Sequence, residues 1–332
     1  KKITKRTFYA TLVIFGFLAC KNEEQPANLP THIGTTEAKT PSTLMPIPEG
    51  KQVDCENPDL TGPRCGHLRF TQVSTGGFHT CGIRHDGSVM CWGANEEGQA
   101  WPPKNTFSQI SSGLTHTCGI TPAHELQCWG NNRDGQLTKP EGKFIAVSSG
   151  WQHSCALQDD GKVLCWGRNY WGQSMAPEEK FTQVSVGSNH SCGLNTTGKI
   201  LCWGRNDWGE SKAPPGEYSQ VSAGLHHTCG IKKTGEALCW GFDHWGETVV
   251  PEGLYSHISA GWKHSCGVQK SGLVVCWGWD HISLDTTPLD AFSTVTTSKS
   301  LEGPLHTCGI KSTGEVRCWG CYNDGQCSVP RP

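Results

Sequence analysis

Charge is scarce in this chain. Only 17% of its 332 residues are Asp, Glu, Lys or Arg, and 28 basic against 30 acidic side chains leave a net charge of -2. The basic footprint that phosphates demand is missing, so no nucleic-acid partner is expected. With an apolar fraction of only 35%, the composition also excludes a coiled coil, a long helical bundle and a highly charged disordered chain. Long apolar runs are lacking. The one conspicuous stretch, YATLVIFGFLA from Tyr9 to Ala19, falls short of the roughly 20 residues a membrane-spanning helix needs. Catalytic signatures are absent as well: no nucleophile elbow, His-rich metal motif, phosphate loop or isolated carboxylate pair in an apolar setting. Neither an enzyme nor a cofactor or metal is therefore expected.

What the chain does have is 41 Gly, 14 Trp and 19 Cys. So many cysteines imply either export with disulfides or metal sites, and the odd count sets one thiol apart. The first twenty residues account for it. A basic KKITKR segment precedes the apolar run, as in a signal peptide, and Phe17-Leu18-Ala19-Cys20 resembles a bacterial lipobox with Phe in place of the usual Leu. The resemblance implies lipidation of Cys20. A polar, Pro-rich stretch follows, as expected of a tether, and Lys21 implies the outer membrane by similarity to bacterial sorting signals. The expected organisation is a signal peptide over residues 1–20, a linker over 21–53, a cysteine-containing cap over 54–69 and a folded domain over 70–332.

That domain repeats. An aromatic residue opening a short β-type run recurs every 37 residues, at Phe70, Phe107, Phe144, Phe181, Tyr218, Tyr255 and Phe292. Eleven residues on in six units stand Cys81, Cys118, Cys155, Cys192, Cys229 and Cys266. The seventh, Cys308, is delayed by five extra residues within Thr297 to Leu305. Ten residues later come Cys91, Cys128, Cys165, Cys202, Cys239, Cys276 and Cys318, each followed by Trp-Gly. A fixed period of this length marks a repeat architecture.

Within a unit, FTQVS and SVMCW alternate apolar and polar residues as half-buried strands do, and Gly-containing turns such as HDG separate the second and third runs. If Cys81 opposes Cys91, Ile83 faces Val89 and His85-Asp86-Gly87 closes the hairpin. Opposed Cα atoms at a non-hydrogen-bonded antiparallel site lie about 4.5–5.5 Å apart, within disulfide reach. Buried thiols or zinc ligands are the alternatives; zinc favours closer spacings such as C-x2-C, so seven disulfides are expected. Seven small sheets that cannot bury both faces alone predict an all-β, seven-bladed β-propeller.

The unit HTCGIRHDGSVMCWGANEEGQ (His79 to Gln99) resembles the regulator of chromosome condensation repeat, as do CWGNNRDGQ (Cys128 to Gln136) and CWGRNYWGQ (Cys165 to Gln173). Unit six departs, reading CWGWDHISL without Gly-Gln. The resemblance covers roughly residues 70 to 329 and implies the same seven-bladed fold. The founder of that family is a guanine-nucleotide exchange factor that binds chromatin. Its wedge loop, acidic contacts and basic surface find no counterpart here, so the resemblance implies exchange activity least of all. A bacterial propeller of similar repeats is a secreted β-lactamase inhibitor, which implies an exported, protein-binding disc.

One end of such a disc carries the uniform polar hairpins; the other carries variable loops. Five residues after the repeating Trp, the units present Glu97, Asp134, Trp171, Trp208, Trp245, Ile282 and Asp324. The same end gathers Phe78, Trp151, Asn189, Trp262 and Lys263 before the repeating His, and Tyr170, Asp207, His244, Trp279 and His281 beside the first row. Units with Glu or Asp in the row show that the fold does not require an aromatic there. Trp151, Tyr170, Trp171, Trp208, His244, Trp245, Trp262 and Trp279 are therefore the expected binding surface on blades three to six. A protein partner is expected of a monomeric disc, with carbohydrate binding or cleavage as the alternative, since aromatic platforms also suit sugars. The membrane is reached through the lipid only.

His79, His116, His153, His190, His227, His264 and His306 recur once per unit. Spread round a ring they cannot share one ion, so a structural hydrogen bond is expected of each. Fourteen repeat cysteines and Cys20 leave Cys55, Cys65, Cys321 and Cys327. These can pair locally, or between the two termini so as to staple the ring shut.

Overall fold

The computed structural model describes residues 68–279, 287–299, 306–321 and 325–330. The expected signal peptide with Cys20, the linker 21–53, most of the segment 54–69 with Cys55 and Cys65, most of the five-residue insertion, and His281, Ile282 and Asp324 lie outside the described residues. Among the described residues there are strands and no α-helix, and the 21 strands form seven three-stranded antiparallel meanders. This is the expected seven-bladed propeller.

Blade one shows the plan. Its inner strand β1 (Phe70–Thr75), middle strand β2 (His79–Arg84) and outer strand β3 (Val89–Gly93) pair in chain order. The register is the expected one, with Cys81 opposite Cys91 and Ile83 opposite Val89. Arg84 N–H donates to Ser88 O at 2.9 Å across the turn, and Gly87 supplies a φ of 80° that a side chain would resist. Blade two places His124 at that point, with φ 63°, and its Nδ1 donates to Phe144 O at 3.2 Å. All seven repeat cysteine pairs are disulfides, with Cα atoms 4.0 to 4.1 Å apart.

The core lies between blades rather than within them. Cys81 and Ile83 of blade one pack on Phe107, Ile110 and Trp129 of blade two. The last such seam joins Cys308, Ile310 and Val316 to Phe70, Val73 and Trp92, so the final blade buries its apolar face on the first. In six blades the opening aromatic lies over the middle-strand glycine that directly follows the repeat cysteine: a Cβ on Gly82 would sit 2.5 Å from Phe70 Cδ1. Blade three carries Ala156 there, packed with Phe144 and Trp166.

Hydrogen bonds repeat round the ring. Phe107 N–H donates to Gly87 O of the preceding blade at 2.8 Å, and the pattern continues to Phe70 N–H on Gly314 O at 2.8 Å. Ser74, Ser111, Ser148, Ser185, Ser222, Ser259 and Thr296 each accept the inner-strand N–H of the next blade, at 2.8 to 3.4 Å. Trp129 Nε1 donates to Gln99 O at 2.9 Å, and Trp92 Nε1 makes the same bond to Gln326 O at 2.8 Å. The carboxyl-terminal segment thus returns to blade one. Cys321 pairs with Cys327, so the covalent staple between the termini, one of the two pairings open from sequence, does not form. Buried apolar surface and backbone hydrogen bonds close the ring instead. Among the described residues, the buried Trp319 Nε1 has no acceptor.

Candidate binding face

The loop after each outer strand is held by its own side chains. Gln99 Oε1 accepts Glu97 N–H at 2.9 Å, and Asn95 Oδ1 accepts Ala100 N–H at 2.8 Å. Gln173, Glu210 and Glu247 do the same for Trp171, Trp208 and Trp245, at 2.7 to 2.8 Å. Glu247 is buried, which pushes its carboxyl above the usual range. The backbone of the variable position is therefore fixed while its side chain points outward, which is why the fold accepts Glu, Asp or Trp there.

On blades three to five these side chains stand open to solvent. Tyr170 is 76% exposed, Trp171 and Trp208 are 50% exposed, and Trp245 is 38% exposed. Trp208 stacks edge-on against Phe242 at 4.8 Å between centroids, and Phe242 lies 6.0 Å from His244. His244 meets Trp245 at 4.6 Å, Trp245 meets Trp279 at 5.7 Å, and Trp279 meets Trp262 at 6.5 Å. Five of the expected residues, Trp208, His244, Trp245, Trp262 and Trp279, thus form one array bridged by Phe242. Trp171 stands beside the next blade's Arg205, whose guanidinium lies 5.2 Å from its ring. Tyr170 pairs with Arg168 of its own blade at 4.5 Å. Trp151 is half-buried with its indole Nε1 enclosed and unpartnered, so it leans toward packing.

Sequence reasoning missed the bridging role of Phe242, the half-buried His226 against it at 6.2 Å, the arginines, and the seating of Lys263 among the indoles. Burial, then nearby Arg205, lowers the His226 pKa to about 4. Arg168 and Arg205 follow Trp-Gly directly in units three and four, a local signal that pairs them with neighbouring aromatics. Lys263 Nζ lies 4.0 Å from the Trp262 centroid, 4.3 Å from Trp279 and 5.0 Å from Trp245. Where the row carries an acid the cation is matched differently: Glu97 pairs with Arg133 of the next blade at 2.9 Å.

The repeating histidines lie elsewhere, at zero exposure between blades. His79 Nε2 meets Thr117 Oγ1 of the next blade at 2.7 Å, and the series closes with His306 on Thr80 at 3.0 Å. Thr117 and Thr80 spend their single proton on the carbonyls of Gln99 and Gln326, so the imidazole donates from Nε2. Among the described residues no group of three His, Cys, Asp or Glu could hold a metal ion. The axial channel, of 290 Å³, is lined by Gln72, Ser74, Gln109, Ser111 and their counterparts from all seven inner strands. Gln72 turns its amide onto the backbone of Ile110 at both ends, at 2.9 and 3.0 Å. A larger cavity of 790 Å³ runs along the outer strand of blade three beside Met175 and Pro177, away from the six-ring array.

The molecule is a closed propeller whose variable loops share one end. It belongs to the regulator of chromosome condensation repeat family, whose model matches residues 70–99, 107–136, 144–173, 181–209, 218–244, 255–281 and 303–326. Among curated proteins the chain matches none. Among solved structures it is similar to the ectodomain of the receptor kinase CR4 from Physcomitrella patens, at 27% identity over 76% of this chain and 74% of that one, with a TM-score of 0.65. It is also similar to the ectodomain of the Arabidopsis thaliana receptor kinase ACR4, at 23% identity over 77% and 98%, with a TM-score of 0.65. Yeast Prp20 bound to Kap60 matches at 18% identity over 62% and 69%, with a TM-score of 0.55; a likeness this distant concerns the fold alone.

Proposed function

We propose that this chain is an exported, non-enzymatic binding disc that presents the aromatic face of blades three to six to a protein partner. The carrying observation is the contiguous array from Trp208 to Trp262, with Trp171 and Tyr170 alongside, on loops whose backbone is already fixed. Exposed Trp and Tyr are the side chains that dominate interface energetics, and a fixed backbone lowers the ordering cost of binding. Export is supported by the seven within-blade disulfides, which persist in oxidising compartments, and by the likeness to a receptor-kinase ectodomain.

The triple variant W171A/W208A/W245A is expected to melt within a few degrees of the parent and to lose its partner. The parent disc, crosslinked to envelope proteins of its own cells, supplies that partner. Equal capture by the folded triple variant would refute the assignment. A glycan array run alongside distinguishes a sugar ligand, the runner-up. Anchoring through Cys20 predicts palmitate labelling that Cys20→Ala abolishes; labelling that persists in the variant would remove the anchor.

A further inference from the structure

Among the described residues, the cation at the centre of the aromatic array is held without a counter-charge. Lys263 Nζ sits 4.0, 4.3 and 5.0 Å from the centroids of Trp262, Trp279 and Trp245. Three indoles so placed attract an ammonium through their ring faces, the more strongly as it loses water. A primary ammonium also carries three N–H donors, and ring faces satisfy them poorly compared with a carboxylate. Among the described residues Lys263 makes none of the ion pairs, which engage Lys139, Lys143, Lys232, Lys233 and Lys311 instead. Two other cations on this end are matched by acids: Glu97 holds Arg133 at 2.9 Å, and Asp207 holds Arg205 Nε at 2.6 Å.

Resting on the assignment of this face as the binding face, we propose that Lys263, postured by Trp245, Trp262 and Trp279, is the anchor for a carboxylate of the protein partner. The partner's contact segment is therefore acidic. The indoles fix the lysine, whose rotamer freedom would otherwise be lost on binding, and they flank the ammonium with apolar surface. An Asp or Glu arriving there gains a charge-assisted hydrogen bond in a setting less polar than water. Arg168 strengthens the choice of sign, since it lies over Tyr170 and bonds the amide of Gln152 rather than any carboxylate.

The test uses fluorescein-labelled hexaglutamate, with hexaserine and hexalysine as controls, read by anisotropy on the intact disc. Hexaglutamate is expected to bind in preference to both controls and to weaken with salt. Lys263→Met keeps the aliphatic stem without the charge and should weaken it at least tenfold; Lys263→Arg should retain most of it. Trp262→Ala, which loosens the posture but leaves the charge, should fall between. Lys162→Met, beyond the hairpin on the opposite end, should change nothing. Hexaglutamate binding no tighter than hexaserine, or unaffected in Lys263→Met, would overturn the proposal. So would preference for hexalysine or tetramethylammonium, which would mean that the cage admits a foreign cation in place of Lys263, or for sialyllactose, which would move the carboxylate onto a sugar. Loss of protein capture by the tryptophan triple variant, with hexaglutamate indifferent to Lys263, would overturn only the acidic anchor and leave the face standing.

Discussion

His79, His116, His153, His190, His227, His264 and His306 each sit at zero exposure, hydrogen-bonded through Nε2 to a hydroxyl on the next blade. Burial pushes the pKa down to about 3 in His79, His153 and His227, to about 4 in His116 and His264, and well below the ordinary value in His190. The unfolded chain takes up protons near 6.5 and the folded ring does not. The stability contribution is therefore complete above that value and is lost as pH falls from about 6.5 toward 4, with a slope approaching 1.4 kcal/mol per pH unit for each histidine, roughly. Melting temperature should accordingly drop steadily between pH 7 and pH 5. A flat profile over that interval would contradict a ring of neutral imidazoles. The structural role of these residues was legible because one His per unit cannot assemble a shared metal site. Their partner, a hydroxyl on the next blade, was not legible, because it lies 38 residues away for His79 and 226 for His306.

At the scale of the blade, local constraints dominate, and they are the ones a sequence displays. Cys81 opposite Cys91, with Ile83 opposite Val89, follows from hairpin geometry alone. The opening aromatic is a subtler element: its ring fills the space over a strand glycine, so Gly82 is there for room. Gly82→Val should clash with Phe70 and cost about 1–3 kcal/mol, as overpacking does. Gly82→Ala should cost less, since blade three already accommodates Ala156. Urea unfolding of both variants measures the order; Gly82→Val as stable as the parent would show that the ring has space to move. The repeat motif pointed to the glycine without revealing its purpose, since Phe70 and Gly82 meet only once β1 has paired with β2.

Across the whole molecule, the period of 37 residues and the pairs of cysteines determined the blade count, the strand order, the hairpin register and which end of the disc varies, because each of these depends on contacts within one unit or on simple repetition. Tertiary structure decided the rest. The terminal staple left open by four surplus cysteines gives way to Phe70 on Gly314 and Trp92 on Gln326, contacts between chain ends that spacing does not encode. The row of tryptophans was visible in the sequence, but its union with Phe242, and the seating of Lys263 among three indoles drawn from two blades, depends on how blades five and six turn toward each other. A side chain's neighbours across a blade seam are set by packing between units, and that packing exists only once the ring has closed.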